Sequence, residues 1–307
     1  MNYTLNQLRI FSKIVELKSI TKASEVLFLT QPAVSIQLKK FQDQFSIPLT
    51  EVVGRKLHIT TFGYEIAEAA NKILQEVKEI DYLSTIHEGR LAGKLTLSVV
   101  STGKYVMPYF LSDFVKKHPG VDFVMDVTNK LKVVEHLENN EVDFALVSVI
   151  PDGLNLEQLS LMDNKLFLVG NAETEANRTC SVDEIFANYP MLIREFGSAT
   201  RNAMESFMDT NNYKPKKTIE LTSNEALKQS VIAGLGYSIM PLIGIKNAVL
   251  NGDIKLIPHK RLPIVTNWNL VWLKAKKLSP VSREFIKHIE ENKMSLMDKS
   301  FNWIYNF

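Results

Sequence analysis

The 307-residue chain has a single cysteine, Cys180, so no intrachain disulfide and no cysteine metal cluster can form. A lone thiol of this kind can serve as a redox sensor but reads better as a buried or inert side chain. The six histidines, at 58, 87, 118, 136, 259 and 288, show no metal-ligand spacing. No Gly-x-Ser-x-Gly elbow, Walker loop or dinucleotide fingerprint occurs, and Gly234-x-Gly236 suits a helix-to-strand turn. Asp143, in Val-Asp-Phe-Ala-Leu, reads as a structural cap before a strand rather than a catalytic acid. These absences leave no catalytic residue, metal or cofactor to assign. No apolar run approaches the length of a membrane span. The first helical segment is amphipathic and broken by charges, unlike a signal peptide. A cytoplasmic protein is expected, with no membrane partner. The net charge of +2 excludes a bulk polyanion binder.

The charge is nonetheless unevenly placed. Residues 1–60 carry eight Lys or Arg against four acids, and residues 61–90 carry three against six. A locally basic head is what phosphate contacts need. Within it, Leu8, Phe11, Ile14, Val15 and Leu17 have helical spacing over about 5–17. Thr21 is the expected N-cap of a second helix, whose apolar face is Ala23, Val26 and Leu27. Phe28-Leu29 make a turn, Thr30 caps a third helix, and Pro32 stands in its first turn. Val34, Leu38 and Phe41 form its buried stripe, while Gln31, Ser35, Ile36, Lys39 and Lys40 face outward. Gln31 can pair with an adenine edge in the major groove, Ser35 can bond a base or phosphate, and Lys39 and Lys40 suit the backbone. The helix pattern alone also fits an ordinary three-helix bundle with a solvated polar face.

The stretch resembles the N-terminal domain of LysR-type transcriptional regulators. The matching residues are Leu8, Phe11, Ser19, Thr21, Ala23, Leu27, Thr30-Gln31-Pro32-Ala33-Val34-Ser35, Leu38, Arg55, Thr60 and Gly63. Two departures stand out. Ser24 replaces the usual second Ala, and the wing reads Leu49-Thr50-Glu51-Val52 where the family has Leu-Phe-x-Arg. Arg55, Lys56 and His58 remain to approach DNA from the wing. The resemblance implies a winged helix-turn-helix over 1–60 that reads double-stranded DNA through Gln31, Pro32, Ser35, Lys39, Lys40, Arg55 and Lys56. For a regulator, RNA polymerase is a further partner to consider.

Residues 62–87 contain no proline, and Ile66, Ala70, Ile73, Val77, Ile80 and Ser84 follow alternating steps of four and three. That is coiled-coil spacing. The stripe can pack on the second domain or on the same helix of another subunit. The resemblance favours the second, in a homodimer or homotetramer. Glu88-Gly89-Arg90-Leu91-Ala92-Gly93 then reads as a hinge closing a linker segment of 61–90.

From Lys94 strands alternate with helices, which argues for parallel α/β layers. Expected strands include 95–100, 121–127, 144–149, 166–169 and 191–193; expected helices include 106–118, 131–139, 201–211 and 224–233. Ligands in such sheets bind at the C-terminal ends of strands. Ser101, Thr102, Thr128 and Ser148 fall there, and Phe196-Gly197-Ser198-Ala199-Thr200-Arg201 lies between a strand and a helix. Ser198, Thr200 and the Arg201 charge can hold an anion at the helix start, or merely cap the helix beside a solvated arginine. The Gly-Ser-x-Thr-Arg segment and Gly234 to Pro241 also resemble the family. Its fold is a two-lobed, periplasmic-binding-protein-like α/β domain. The resemblance implies an effector-binding domain over 91–307, with lobe I about 91–163 and 267–307, lobe II about 164–266, and strand crossovers near 162–166 and 263–268. A small anionic effector in the cleft is expected to alter DNA binding. The competing readings from other classes are a solute-binding protein and a small-molecule enzyme. The apolar tail 294–307 is expected either to extend the last helix onto the sensor domain or to form a further contact.

Overall fold

The computed structural model describes residues 3–54, 56–87 and 90–307. The chain divides into two compact units, Met1–Arg90 and Leu91–Phe307.

In the first unit, α1 (Leu5–Leu17) starts at Thr4, which forms a reciprocal capping box with Gln7. The second helix, α2 (Ile20–Val26), is capped by Ser19, whose hydroxyl accepts from the Lys22 N–H. Thr21 therefore lies inside the helix rather than at its cap, since Ser19 is the residue with the extended backbone a cap requires. Phe28 turns the chain at φ 55°, and Thr30 caps α3 (Gln31–Gln42), accepting from the Ala33 N–H. The hairpin β1 (Thr50–Val53) and β2 (Lys56–Ile59) pairs antiparallel and forms the wing. Gly63 sets α4 (Thr61–His87) against its base, because a Cβ there would lie 2.1 Å from the Leu49 carbonyl oxygen. Phe11, Ile14, Val34, Phe41, Leu49, Ala67 and Ala70 share one core.

At 27 residues α4 is about 40 Å long. Its stripe is divided. Ile66 and Ala70 pack into the head core, while Ile73 and Ile80 are 40% and 66% exposed. The expected pairing surface is thus shortened at its N-terminal end, where α1 covers it. Residues 88 and 89 of the expected hinge lie outside the described residues. Ala92 and Gly93 are not hinge but the first residues of a strand.

The second unit opens with β3 (Ala92–Val100), α5 (Met107–Lys117), β4 (Gly120–Thr128), α6 (Lys130–Glu138) and β5 (Phe144–Val147). These three strands are parallel, in the order β4-β3-β5. Then β6 (Leu156–Asn171) runs 16 residues, far beyond the expected 166–169, because the polar stretch Asp163-Asn164-Lys165 that hid it still pairs in the sheet, with Asn164 buried and donating to the Thr266 hydroxyl at 3.0 Å. The second lobe follows: α7 (Ala176–Thr179), α8 (Val182–Asn188), β7 (Met191–Arg194), α9 (Ala199–Thr210), β8 (Thr218–Leu221), α10 (Asn224–Ile232), β9 (Ser238–Pro241), α11 (Leu242–Leu250) and β10 (Ile254–Ile257). The chain returns along β11 (Ile264–Leu273) and ends in α12 (Pro280–Leu296) and two further turns.

The layers are mixed rather than parallel. β11 lies antiparallel to β6 from Ile264 opposite Leu166 to Leu273 opposite Leu156, with a register shift at Trp268/Asn269, and β9 and β10 also run against β6. These two long strands carry the chain between the lobes. One core spans Leu97, Phe110, Phe144, Trp268 and Phe285 and reaches Leu227 and Ile245 of the second lobe; a smaller one gathers Phe186, Met204, Phe207 and Tyr237. Asp143 is a latch. Its Oδ2 accepts from the Thr96 N–H and hydroxyl, each at 2.8 Å, beside Lys276 at 3.4 Å. The tail packs on the sensor unit: Phe301 stacks on Phe110, Ile304 is buried, and Lys165 donates to the carbonyls of Ile304 and Phe307.

Candidate nucleic-acid interface and effector cleft

On α3, burial of Val34, Leu38 and Phe41 turns the other face outward by helical geometry. Gln31, Pro32, Ser35, Ile36, Lys39 and Lys40 are all exposed. Lys39 and Lys40 form no ion pair among the described residues. Lys56 and His58 are exposed on β2, and Arg55 lies outside the described residues. The face therefore presents hydrogen-bonding groups in the first half of the helix and two cations in its last turn, a distribution that suits base reading and phosphate anchoring.

Sequence reasoning treated Phe28 as a turn residue. It is 94% exposed three residues before α3, which its apolar character gave no reason to expect.

In the second unit Ser101 and Thr102 follow β3, Asn129 and Lys130 open α6, and Ser198 and Thr200 open α9. These side chains and Arg194 surround one cleft between the lobes. The Arg194 guanidinium is 3% exposed, and both its terminal nitrogens donate to the Ser101 hydroxyl at 3.3 Å. Asn224 donates to the same oxygen at 2.8 Å, while its own Oδ1 is buried without a hydrogen bond. Arg194 is held flat by a bidentate pair with Glu195, both contacts at 2.7 Å. Ser198 occupies the N-cap of α9 but caps nothing with its hydroxyl, which leaves that group for the cleft. The space enclosed is about 10 Å³, the room of a single water.

Of the residues predicted for this site, Ser101, Thr102, Ser198 and Thr200 meet around the cleft. Thr128 ends β4 opposite Val100, and Ser148 follows β5 buried; neither lines that space. Arg201 points elsewhere. It pairs with Glu205 and Glu220 at 2.7 Å each and donates to the Arg194 carbonyl. The i,i+4 spacing on α9 puts Glu205 on its face, and the edge strand β8 supplies Glu220. The two carboxylates hold the Arg201 guanidinium more firmly protonated than usual, chiefly through the Glu205 hydrogen bond.

Residues 5–64 match the family model of the bacterial regulatory helix-turn-helix protein, lysR family, and residues 88–293 match the LysR substrate binding domain. The chain belongs to the LysR family. It is 32% identical over 289 residues to the HTH-type transcriptional activator CmpR of Synechocystis, covering 94% of this chain and 95% of that protein. The regulatory domain of Synechocystis CcmR in complex with 2-PG superposes at a TM-score of 0.61 and 26% identity, covering 68% of this chain and 99% of the other. Full-length CbnR bound to its target DNA shares the fold at a TM-score of 0.70 and 19% identity, covering 94% of this chain and 99% of the other.

This LysR-family chain is a DNA-binding transcriptional regulator with a small-molecule-sensing domain. None of its described helices is long and apolar enough to cross a membrane. Arg194 and Lys130 are the charged cleft residues that the sequence analysis missed. A signal existed for the first: Arg194 is the one charged residue in the run Met191 to Arg194 and stands at the C-terminal end of a strand buried throughout. No comparable signal marks Lys130, one of many lysines on helices.

Proposed function

We infer that this regulator reads a roughly two-fold symmetric operator through Gln31, Pro32 and Ser35 on α3, anchored by Lys39, Lys40, Lys56 and Arg55. The pairing surface is the remaining α4 stripe at Ile73, Val77 and Ile80, which sets the spacing of two reading helices. The proposed organisation is a head over 1–60, a linker over 61–90 and a sensor over 91–307. The chain acts without chemistry of its own, in the cytoplasm.

Its effector is a small anion held between the lobes by Arg194, Lys130, Ser101, Thr102, Ser198 and Thr200, beside the helix starts of α6 and α9. The observation that carries this reading is the buried Arg194, which reaches across from β7 to Ser101 in the other lobe. An anion that takes over these donors changes the contact between the lobes, and so biases their relative position. The narrowness of the space means the lobes part to admit it. The ligand of the CcmR domain, 2-PG, is the first anion to try.

The test is footprinting of the purified protein on DNA upstream of its own gene, with and without 2-PG and a panel of other small anions. Protection of a symmetric site that one anion alters is the expected result. Arg194→Gln is expected to protect the same site but lose the anion response. An anion response as large in Arg194→Gln as in the wild type refutes the cleft assignment, and no protection at low salt refutes the operator assignment.

A further inference from the structure

A second cavity in the sensor unit, sharing no lining residue with the cleft, encloses about 480 Å³, within the range of small-molecule sites. Three parts of the chain build it. Lys104 and Tyr105 follow β3, with Tyr109 beside them on α5; Lys228 and Lys246 come from α10 and α11 of the other lobe; Trp303 comes from the tail. Gly244 lets α11 approach closely, since a Cβ there would sit 3.3 Å from the Tyr105 ring. None of its three walls is complete without the others.

Its charge is of one sign. No Asp or Glu lines the cavity. Lys228 pairs with Glu225 at 2.9 Å. Lys104 and Lys246 form no ion pair among the described residues; each instead lies over an aromatic ring, Lys246 at 4.5 Å from the Trp303 centroid and Lys104 at 5.1 Å from that of Tyr105. A ring face offsets only part of an ammonium charge, so the cavity holds a positive potential against aromatic walls. That pairing suits phosphates joined to a planar group: ammonium groups for the one, ring faces for the other.

We propose that this cavity is a second ligand site and that it takes a nucleotide. The phosphates meet Lys104, Lys228 and Lys246, and the base lies against Tyr105, Tyr109 or Trp303. Because both lobes and the tail contribute, an occupant ties them together and biases the lobe arrangement from outside the cleft that holds Arg194.

The experiment titrates the full-length protein with mant-ADP and then displaces it with ADP or pyrophosphate. Saturable binding is expected. It should weaken at least about tenfold when the charges are reversed in Lys104→Glu/Lys246→Glu, and persist in Arg194→Gln. ADP should compete about fivefold or more better than pyrophosphate, the margin a stacked base supplies. ADP should also change tryptophan emission in the wild type but not in Trp303→Phe, a reading that does not depend on the charge-reversed variant folding. The proposal is overturned by absence of saturable mant-ADP binding, by binding that ignores the charge reversal, or by an emission change that survives in Trp303→Phe. Loss of binding in Arg194→Gln, with retention in the lysine variant, would place the nucleotide in the other cleft. Equal competition by pyrophosphate would remove the nucleotide assignment.

Discussion

Replacing Gln31 with Ala is the sharpest probe of the reading head, because its predicted effect separates sequence reading from charge. Gln31 is exposed at the first position of α3, and Thr30, not Gln31, supplies the cap. The substitution therefore removes a side chain without opening a core, and folding stability should move by less than about 0.5 kcal/mol. A bidentate base contact is worth about 1–3 kcal/mol of discrimination. The proposed dimer makes two, so the operator-to-random preference should fall by about 2–6 kcal/mol, or roughly 30- to 20,000-fold. No phosphate contact is lost, so the salt dependence should stay parallel to wild type. Lys39→Ala should do the opposite: operator and random DNA weaken together, and the slope of log K against log salt shrinks by about 0.9 per head. Fluorescence anisotropy on both duplexes from about 50 to 200 mM salt measures all four quantities. If Gln31→Ala weakens both duplexes equally, or flattens the salt slope as Lys39→Ala does, then Gln31 is a backbone contact and the base-reading role is wrong.

Three further outcomes follow from the packing. Ile73→Asp/Ile80→Asp places charges on the exposed stripe of α4 and should shift sedimentation toward monomer while leaving the head core intact; an unchanged oligomer moves the interface elsewhere. Phe301→Ala removes a ring that is 2% exposed against Phe110 and Tyr109, which should cost about 3–5 kcal/mol and lower the sensor's Tm by roughly 6–20 °C; a loss below about 1 kcal/mol would show that the tail is peripheral. Burial holds His118, His259 and His288 below the ordinary histidine value. The unfolded chain then binds protons more readily than the native one, so stability is fully present above about pH 6.5 and is lost as pH falls through the depressed native values. Thermal melts at about pH 7.5 and 5.5 should show this loss, with a smaller loss in His259→Gln and His288→Gln; an unchanged difference in both variants would assign the effect to other groups.

The head was legible because its signals are local. Thr30, Pro32 and the stripe Val34, Leu38, Phe41 specify a helix start and a buried face within a dozen residues, so the outward placement of Gln31, Ser35, Lys39 and Lys40 follows from helical periodicity. The parallel strands β3, β4 and β5 were legible for the same reason, the first two as alternating stretches and the third as an apolar run between helices. The same local logic misplaced the second cap at Thr21, since Ser19 and Thr21 both offer a hydroxyl and only the backbone conformation chooses between them.

What the tertiary structure decided were pairings between distant segments. Arg201 was the expected anion partner, but the fold brings Glu205 and the remote Glu220 beside it, whereas Arg194, paired with its neighbour Glu195, reaches the cleft because β7 ends opposite Ser101, 93 residues away. The α4 stripe had one periodicity but two fates, because α1 folds back over Ile66 and Ala70 and leaves Ile73 and Ile80 outside. The long β6 was hidden because Asp163, Asn164 and Lys165 interrupt its apolar pattern, although Asn164 is buried where the distant Thr266 accepts its hydrogen bond. The tail's role lay in its partners: Phe301 is an apolar residue in any listing of the chain, and becomes part of the core only where Phe110 receives it. Helical periodicity and capping act over a few residues and can be read in order along the chain. Charge neutralisation, core membership and cleft composition depend on which distant side chains the fold brings within bonding distance, so they appear only once the strands have crossed.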